Sequence, residues 1–271
     1  MGCINSKKLK EKYFVDPSAN KSNNVMTSYN QIQNFFEEKG LGNVDLIFAT
    51  DFSEKSFKMG NLPYHHSENL HKKFDNFGQT PFEKVVEIFS KSLDHFSQDN
   101  YVYSFGFNDS IFPLKKSSLN EELPCIRYED VQETYENFIK KGIYELNTSN
   151  KINLAPIIYK ALEIVKRENS YHLLCVVITG NVSDKKEAIE AIEIASRYPL
   201  NIVCVGVGRG PWKKMNKMSK KLPVRNFENF HFFKYHKIKK ICEDRDVEIG
   251  RYMLDNVFND YEYISKFILK N

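Results

Sequence analysis

Short apolar runs alternate with longer amphipathic segments along most of the chain. Five runs are aromatic or β-branched and have the length of strands: VDLIFAT at 44–50, YVYSFGF at 101–107, LLCVVI at 173–178, IVCVGV at 202–207 and FHFFKY at 230–235. Several are apolar throughout, which is typical of parallel strands that are buried on both faces. The pattern therefore predicts a mainly parallel sheet.

Helical patterns fill the gaps between these runs. The clearest begins with a capping box at Thr80 and a proline at the first helical position, followed by an apolar face of Phe82, Val85, Val86, Phe89, Leu93 and Phe96. Further helices are predicted from Asp184 onward, over 131–139 and 157–165, and as one stretch from about 238 to 258. This alternation indicates an α/β, doubly wound fold with a ligand crevice beyond the carboxyl ends of the strands.

Composition narrows the class of protein. With 271 residues, 41% hydrophobic residues and a mean hydropathy of −0.50, one large domain is expected, without an apolar run long enough for a transmembrane helix. The net charge of +4 is too small to indicate a nucleic-acid partner. The five cysteines lack a C-x-x-C pair, which favours reduced thiols.

The N-terminal stretch MGCINSKKLK contains a lipidation pattern. Met-Gly-x-x-x-Ser marks Gly2 for myristoylation, and Cys3 is placed for palmitoylation. One myristoyl chain binds membranes only marginally, at about 10⁴ M⁻¹, so a stable anchor needs a second chain or a basic patch. Lys7, Lys8, Lys10 and Lys12 supply that patch against the single Glu11. We expect residues 1–40 to be an acylated, flexible segment on the cytoplasmic face of a membrane, the plasma membrane being favoured.

Two other stretches resemble functional motifs only superficially. The glycines of VGVGRGPW at 205–212 follow a strand, but Pro211 stands where a dinucleotide-binding loop has its third glycine. His65, His66 and His71 have no partner at ligand spacing, which favours a solvated or hydrogen-bonded role. Nucleophile elbows, Cys/His pairs and H-E-x-x-H motifs are absent from the sequence, so no enzymatic activity is predicted.

Six short motifs lie along the body of the chain: ATDFSEKS at 49–56, Leu70-His71, SFGFND at 104–109, LAPII at 154–158, VGVGRGPW at 205–212, and RNFENFHFF at 225–233. Together they resemble the copine type of von Willebrand factor A domain. The resemblance covers roughly residues 43–260, with the domain placed at 41–263 and a short tail at 264–271. It implies a mainly parallel, six-stranded sheet with helices on both faces, and a crevice in which Mg²⁺ binds a partner's carboxylate.

The metal positions of that family are only partly kept. Asp51 and Ser53 stand at the first acidic and hydroxyl positions, whereas Lys55 replaces the second hydroxyl, Ile152 a threonine and Thr179 an aspartate. Mg²⁺ prefers about six oxygen ligands, including carboxylates, and an ammonium repels it. The resemblance thus implies a degenerate metal-ion-dependent adhesion site without a cofactor.

Alternatives remain open from the sequence. Asp109, Asp184 or Glu54 can replace the missing carboxylate, which gives a Mg²⁺-dependent copine-like binding protein. The copines' C2 domains and the RING domain of the related acylated plant ligases are not found, which leaves an adaptor for a ubiquitin ligase supplied in trans. Direct lipid binding by the lysines of 213–221 is a further alternative.

The favoured interpretation is a non-enzymatic, lipid-anchored module that binds an unknown protein partner. Its crevice consists of Asp51, Ser53, Lys55 and Thr179, with the Lys55 ammonium held by Asp51 in the place of the metal. The competing interpretation is that Lys55 points into water and that the crevice has lost its binding role.

Overall fold

The computed structural model describes residues 25–58, 69–73, 78–97, 99–142 and 149–269. Seven strands are β1 (Asp45–Asp51), β2 (Tyr101–Phe107), β3 (Ile111–Pro113), β4 (Cys125–Ile126), β5 (His172–Ile178), β6 (Leu200–Gly206) and β7 (Phe230–Lys234). Helices in this part of the chain are α1 (Tyr29–Glu38), α2 (Glu54–Lys58), α3 (Pro81–Leu93), α4 (Arg127–Lys140), α5 (Ala155–Glu168), α6 (Lys185–Ala195), α7 (Lys213–Lys220), α8 (Tyr235–Ile241), α9 (Asp246–Val257) and α10 (Tyr261–Phe267).

One sheet runs through the domain in the order β3-β2-β1-β5-β6-β7, with β4 also paired to β2. All pairs from β2 to β7 are parallel, and the two short strands β3 and β4 pair antiparallel to β2. The predicted α/β fold is confirmed, with the two-residue strand β4 added to the six-stranded path. The winding reverses between β1 and β5, so the crevice expected of this topology opens at their carboxyl ends.

Two hydrophobic cores lie on the two faces of the sheet. The first is covered by α1, α3, α4, α8, α9 and α10, and the second by α5, α6 and α7. Along β5, Leu173, Cys175 and Val177 enter the first core, while Leu174, Val176 and Ile178 enter the second. Since side chains alternate between faces along a strand, this explains why the run is apolar at every position.

The helix predictions are confirmed at α3, α4, α5 and α6, and the stretch over 238–258 is corrected. Thr80 Oγ1 accepts from Glu83 N at 3.2 Å, and Glu83 Oε2 accepts from Thr80 N at 2.7 Å, which completes the capping box. The predicted single helix over 238–258 is two helices, α8 and α9. The break occurs where Glu243 and Asp244 adopt φ angles of 52° and 60°, which an α-helix cannot contain.

Helix α1 belongs to the folded unit although the sequence assigns it to the N-terminal segment. Ser28 and Gln31 form its capping box, and Ile32 and Phe36 are buried in the first core. Ile264 of α10 is buried in the same core, beyond the predicted domain limit of 263. The residues before 25, which include the predicted lipidation pattern and spacer, lie outside the described part of the chain.

The cysteines fit the reduced state predicted from their spacing. Cys125, Cys175, Cys204 and Cys242 are free and buried. Burial raises the pKa of the Cys125 and Cys242 thiols to about 11, so both are protonated at neutral pH.

Two glycines of VGVGRGPW, Gly206 and Gly208, allow neighbouring groups to pack closely against the backbone. The Trp212 ring lies against Gly206, where a Cβ atom would come within 2.7 Å of the indole. Gly208 similarly passes the carbonyl of Thr179, which a Cβ atom would approach to 3.0 Å. Backbone that lies this close to a ring or a carbonyl requires glycine, so close packing accounts for the motif.

We expect Gly206→Ala to lower the free energy of unfolding by about 1–3 kcal/mol, because the added methyl group overlaps the Trp212 indole. Urea denaturation measures the loss. In a Trp212→Leu background the same substitution should cost less, since the ring is gone. Strict additivity of the two substitutions in a double-mutant cycle would contradict this account.

Candidate functional site

The candidate site lies where the two central strands end. Asp51 is the last residue of β1, and Thr179 directly follows β5, whose Val177 pairs with Thr50 of β1. The parallel register thus brings the two side chains together. Both residues are fully buried.

The Asp51 carboxylate is occupied by hydrogen-bond donors from this site. Oδ1 accepts from Ser53 N at 2.8 Å, and Oδ2 accepts from Thr179 N at 2.9 Å and Thr179 Oγ1 at 2.6 Å. Burial raises the pKa of Asp51, and the hydrogen bonds from Thr179 and Ser53 oppose that rise. Thr179 therefore acts as a donor to Asp51 through both its backbone and its hydroxyl.

Ser53 holds the turn that follows β1. Its carbonyl accepts from Ser56 N at 2.9 Å and Ser56 Oγ at 2.7 Å, which starts the short helix α2. Its own hydroxyl is buried and has no hydrogen-bond partner within the described residues. Ser53 Oγ is thus the unsatisfied polar atom of the site.

His71 supports the site from behind. Nδ1 lies 2.7 Å from the Tyr135 hydroxyl, and Nε2 lies 2.9 Å from Ser56 Oγ and 3.1 Å from the Asp51 carbonyl. The ring stacks between Phe52 and Phe82, with centroid distances of 4.6 and 4.3 Å. The hydrogen-bonded role predicted for the histidines is confirmed for His71, whereas His65 and His66 lie outside the described residues.

Lys55 lies across the mouth of the crevice, beside Gly180. A Cβ atom on Gly180 would lie 3.5 Å from Lys55 Cδ, 3.8 Å from Lys55 Nζ and 3.5 Å from the buried Ile152. The expected ion pair between Lys55 and Asp51 is not formed, although both residues are described. Thr179 and Ser53 donate to the carboxylate oxygens instead. Lys55 is half-buried, so its stem packs on the crevice wall.

The three carboxylates that the sequence offers as replacements have other roles. Asp184 Oδ1 and Oδ2 accept from Leu154 N at 2.9 Å and Ala155 N at 2.7 Å, so Asp184 caps α5. Its expected side-chain cap on α6, which it precedes, is not made. Glu54 pairs with Lys58, and Asp109 is exposed.

The donor set at this site does not fit Mg²⁺. Asp51 supplies one carboxylate, both of whose oxygens accept hydrogen bonds, and Ser53 supplies one free hydroxyl. Ile152 and Lys55 contribute a methyl group and an ammonium where oxygen ligands are needed. Mg²⁺ requires near-octahedral oxygen coordination, which these side chains do not offer.

A second polar cluster lies at the opposite end of the sheet, and the sequence analysis did not identify it. The ligand atoms of Asp45, Glu168 and His172 lie within 4.8 Å of one another. They already have partners: His172 Nε2 is 2.9 Å from Glu168 Oε2, and Ser170 Oγ donates to Asp45 at 2.7 Å. Burial opposes ionisation of Glu168, but hydrogen bonds from His172 and Tyr103 prevail and lower its pKa to about 2. The cluster therefore ties α5 to β1 and β5.

Comparison with known sequences gives one consistent family. The profile described as Copine matches residues 69–270. Copine family protein 2 of Caenorhabditis elegans is 31% identical over 233 residues, covering 84% of this chain and 3% of that protein. The Arabidopsis thaliana E3 ubiquitin-protein ligase RGLG4 is 31% identical over 251 residues, covering 86% of this chain and 59% of the ligase. The chain thus spans less than two thirds of these relatives.

Solved structures give more distant matches. The SpRpn10 VWA domain is 12% identical, with a TM-score of 0.46 over 72% of this chain and 88% of that domain. The manganese-loaded TRAP protein of Plasmodium vivax is 15% identical, with a TM-score of 0.44 over 73% of this chain and 71% of the other. As for membrane insertion, none of the helices described is long and apolar enough to span a bilayer.

We expect Thr179→Val to destabilise the domain by about 1–3 kcal/mol, because the buried Asp51 loses its hydroxyl donor. That donor favours the ionised carboxylate, so its loss raises the pKa of Asp51 further. The destabilisation should therefore increase as the pH rises through the titration of Asp51. Urea denaturation over a pH series provides the measurement.

Thr179→Ser is the matched control, since it keeps the hydroxyl and removes only the methyl group. It should show little of the pH-dependent loss. Equal pH dependence in the two variants would contradict the assigned role of the hydroxyl.

Proposed function

This chain belongs to the copine family, and on that premise we propose that it is a non-enzymatic protein-interaction module with a degenerate metal site, tethered by acyl chains to the cytoplasmic face of a membrane. The observation that carries the proposal is the hydrogen bond from Thr179 Oγ1 to Asp51. It places a donor at the position where the family pattern has a metal-binding aspartate. The crevice is then organised by hydrogen bonds instead of a cation.

The partner chemistry follows from the charge that remains accessible. Asp51 is buried and its oxygens are occupied, whereas Lys55 is partly exposed at the crevice mouth. An ammonium on a packed stem attracts a carboxylate, and its charge is not gated by divalent ions. We therefore assign to Lys55 the positive charge that receives an acidic side chain of the partner, without the ion pair to Asp51 that the sequence suggested.

The contact between Ser56 and His71 has a structural role. His71 Nε2 lies 2.9 Å from Ser56 Oγ and 3.1 Å from the Asp51 carbonyl, and Ser56 Oγ donates to the Ser53 carbonyl. Nε2 is therefore a donor here and not a base that activates Ser56. Both residues are buried, Ser56 completely and His71 with 3% of its surface exposed, so a substrate cannot reach them. Their hydrogen bond stabilises the turn after β1.

A second candidate function is an adaptor for a ubiquitin ligase supplied in trans. It is favoured by the relatives RGLG4 and RGLG3, which are named E3 ubiquitin-protein ligases and are each 31% identical to this chain. Such an adaptor would copurify with a RING protein, and that copurification should depend on Lys55 if the same crevice is used.

We expect that restoring the family's ligand types creates Mg²⁺ binding. The triple variant Lys55→Ser, Ile152→Thr, Thr179→Asp adds two hydroxyls and a carboxylate beside Asp51 and Ser53, which approaches the oxygen set that Mg²⁺ prefers. Isothermal titration should detect Mg²⁺ binding in this variant and none in the wild type.

The matched control is a triple variant that carries Thr179→Asn in place of Thr179→Asp, with the other two substitutions unchanged. The asparagine side chain is similar in size to aspartate but lacks the second carboxylate, so this variant should bind Mg²⁺ much more weakly. Uptake of Mg²⁺ by the unmodified chain at micromolar affinity would overturn the metal-free crevice.

We expect Gly2→Ala to move the protein from the membrane fraction to the soluble fraction, because it removes the myristoyl acceptor on which the anchor depends. Cys3→Ser should give a partly soluble protein that retains one acyl chain. Cell fractionation with a myristate probe tests both. A Gly2→Ala variant that stays on membranes, with no probe label on the wild type, would rule out the anchor.

A further inference from the structure

A strongly basic surface surrounds the edge strand β7. We call it the edge basic patch, and it consists of Lys213, Lys214, Lys217, Lys220, Lys221, Lys234, Lys237, Lys239 and Lys240. Residues 213–240 contain these nine lysines and one Arg against one Glu, a net charge of +9. The whole chain carries +4, so the remaining residues sum to −5. Positive charge is therefore concentrated in one region.

The fold brings the two halves of the patch together. Helix α7 packs beside β7, and its Met215 and Met218 are buried in the second core. Helix α8 follows β7 directly and is held in the first core by Tyr235 and Ile238. The two helices therefore flank the same edge strand from opposite faces of the sheet. Their apolar sides face inward, and most of their lysines are exposed.

Lys234 connects the two halves. It is the last residue of β7 and is half-buried. Burial and the positive charges of Lys237 in α8 and Lys220 in α7 lower the pKa of Lys234. Burial and the charges of Lys237 and Lys234 also lower the pKa of His236. Lysines from both helices thus act on Lys234.

Among the described residues, the lysines of the patch pair with acidic side chains less often than the other lysines do. Of the seventeen other lysines in the described ranges, nine form an ion pair with Asp or Glu: Lys39, Lys58, Lys73, Lys84, Lys91, Lys115, Lys140, Lys160 and Lys266. Within the patch, Lys239 alone pairs with a described acidic residue, Asp244, at 3.7 Å. On an ordinary solvated surface, acidic side chains would be interspersed among the lysines, as they are elsewhere in the described part of the chain. The excess positive charge of the patch makes it complementary to an external anion.

We propose that the edge basic patch is a second membrane contact, which docks the domain on an anionic lipid leaflet. The choice of a membrane as the occupant rests on the proposed acyl anchor, which holds the domain near such a surface. Clustered lysines are attracted to anionic headgroups within a Debye length of the leaflet. Ile241, which is 50% exposed next to Lys240, adds an apolar side chain where an interfacial helix has one.

The test uses the full chain carrying Gly2→Ala, so that the acyl anchor does not contribute. Co-sedimentation is measured with vesicles of phosphatidylcholine alone and with vesicles that also contain phosphatidylserine. The Gly2→Ala chain should bind only the second type, too weakly to stay on membranes during cell fractionation, and less as salt is added. Adding Lys217→Glu, Lys220→Glu and Lys237→Glu should weaken this binding by at least about tenfold, given the contribution of each lysine near an anionic surface.

The matched control adds Lys72→Glu, Lys140→Glu and Lys141→Glu, which change the net charge equally at exposed positions outside the patch. It should retain most of the binding, and circular dichroism should show that both variants are folded.

Equal losses in the two variants, or binding independent of phosphatidylserine, would overturn the proposal. So would tighter binding of an RNA oligonucleotide than of the vesicles at the same ionic strength, since the patch would then be a nucleic-acid surface. Because the anchor is absent throughout, these outcomes are separate from those of the acylation experiment.

Discussion

The buried carboxylate of Asp51 is the constraint around which the centre of this domain is arranged. A carboxylate removed from water is costly unless donors satisfy it, and here the donors come from the turn after β1 and from the residue after β5. The two hydrogen bonds from Thr179 join the two central strands, and the one from Ser53 holds the turn after β1. They also bear on the chemistry of the site, because the position after β5 supplies a hydroxyl donor to Asp51 and adds no second carboxylate for a cation.

Much of the fold could be predicted from the sequence, for reasons visible in particular elements. The runs at β5 and β6 are apolar at every position because both faces of the sheet are covered, and α3 begins at a complete capping box. Helix α1 was missed although Ser28-x-x-Gln31 and the spacing of Ile32 and Phe36 indicate it. The residues around this helix are mostly polar, so its short apolar pattern was not recognised. The break between α8 and α9 depends on two positive φ angles at Glu243 and Asp244, which these residue types do not specify.

The residues of the candidate site were named from the sequence, whereas the contacts between them were only partly predicted. The positions of Asp51, Ser53, Lys55, Ile152 and Thr179 could be found from the resemblance, because four of them lie at or just after the ends of apolar strand runs and Ile152 lies just before the LAPII motif. The resemblance could not predict which donor reaches Asp51. The long side chain of Lys55 competes with the short hydroxyl of Thr179, which the β1–β5 register already holds in place. The role of Asp184 was similarly decided in three dimensions: the carboxylate next to α6 caps α5, since the loops before the two helices lie together.

The stacked position of His71 has a consequence for the thermodynamics of binding. Its ring is clamped between Phe52 and Phe82 and is joined to Tyr135, Ser56 and the Asp51 carbonyl, so the floor of the crevice is already ordered before a partner arrives. A preorganised floor loses little conformational entropy on association. Any ordering that accompanies binding should then be confined to the Lys55 side chain and to the partner, so the partner's own flexibility sets most of the conformational entropy cost of association.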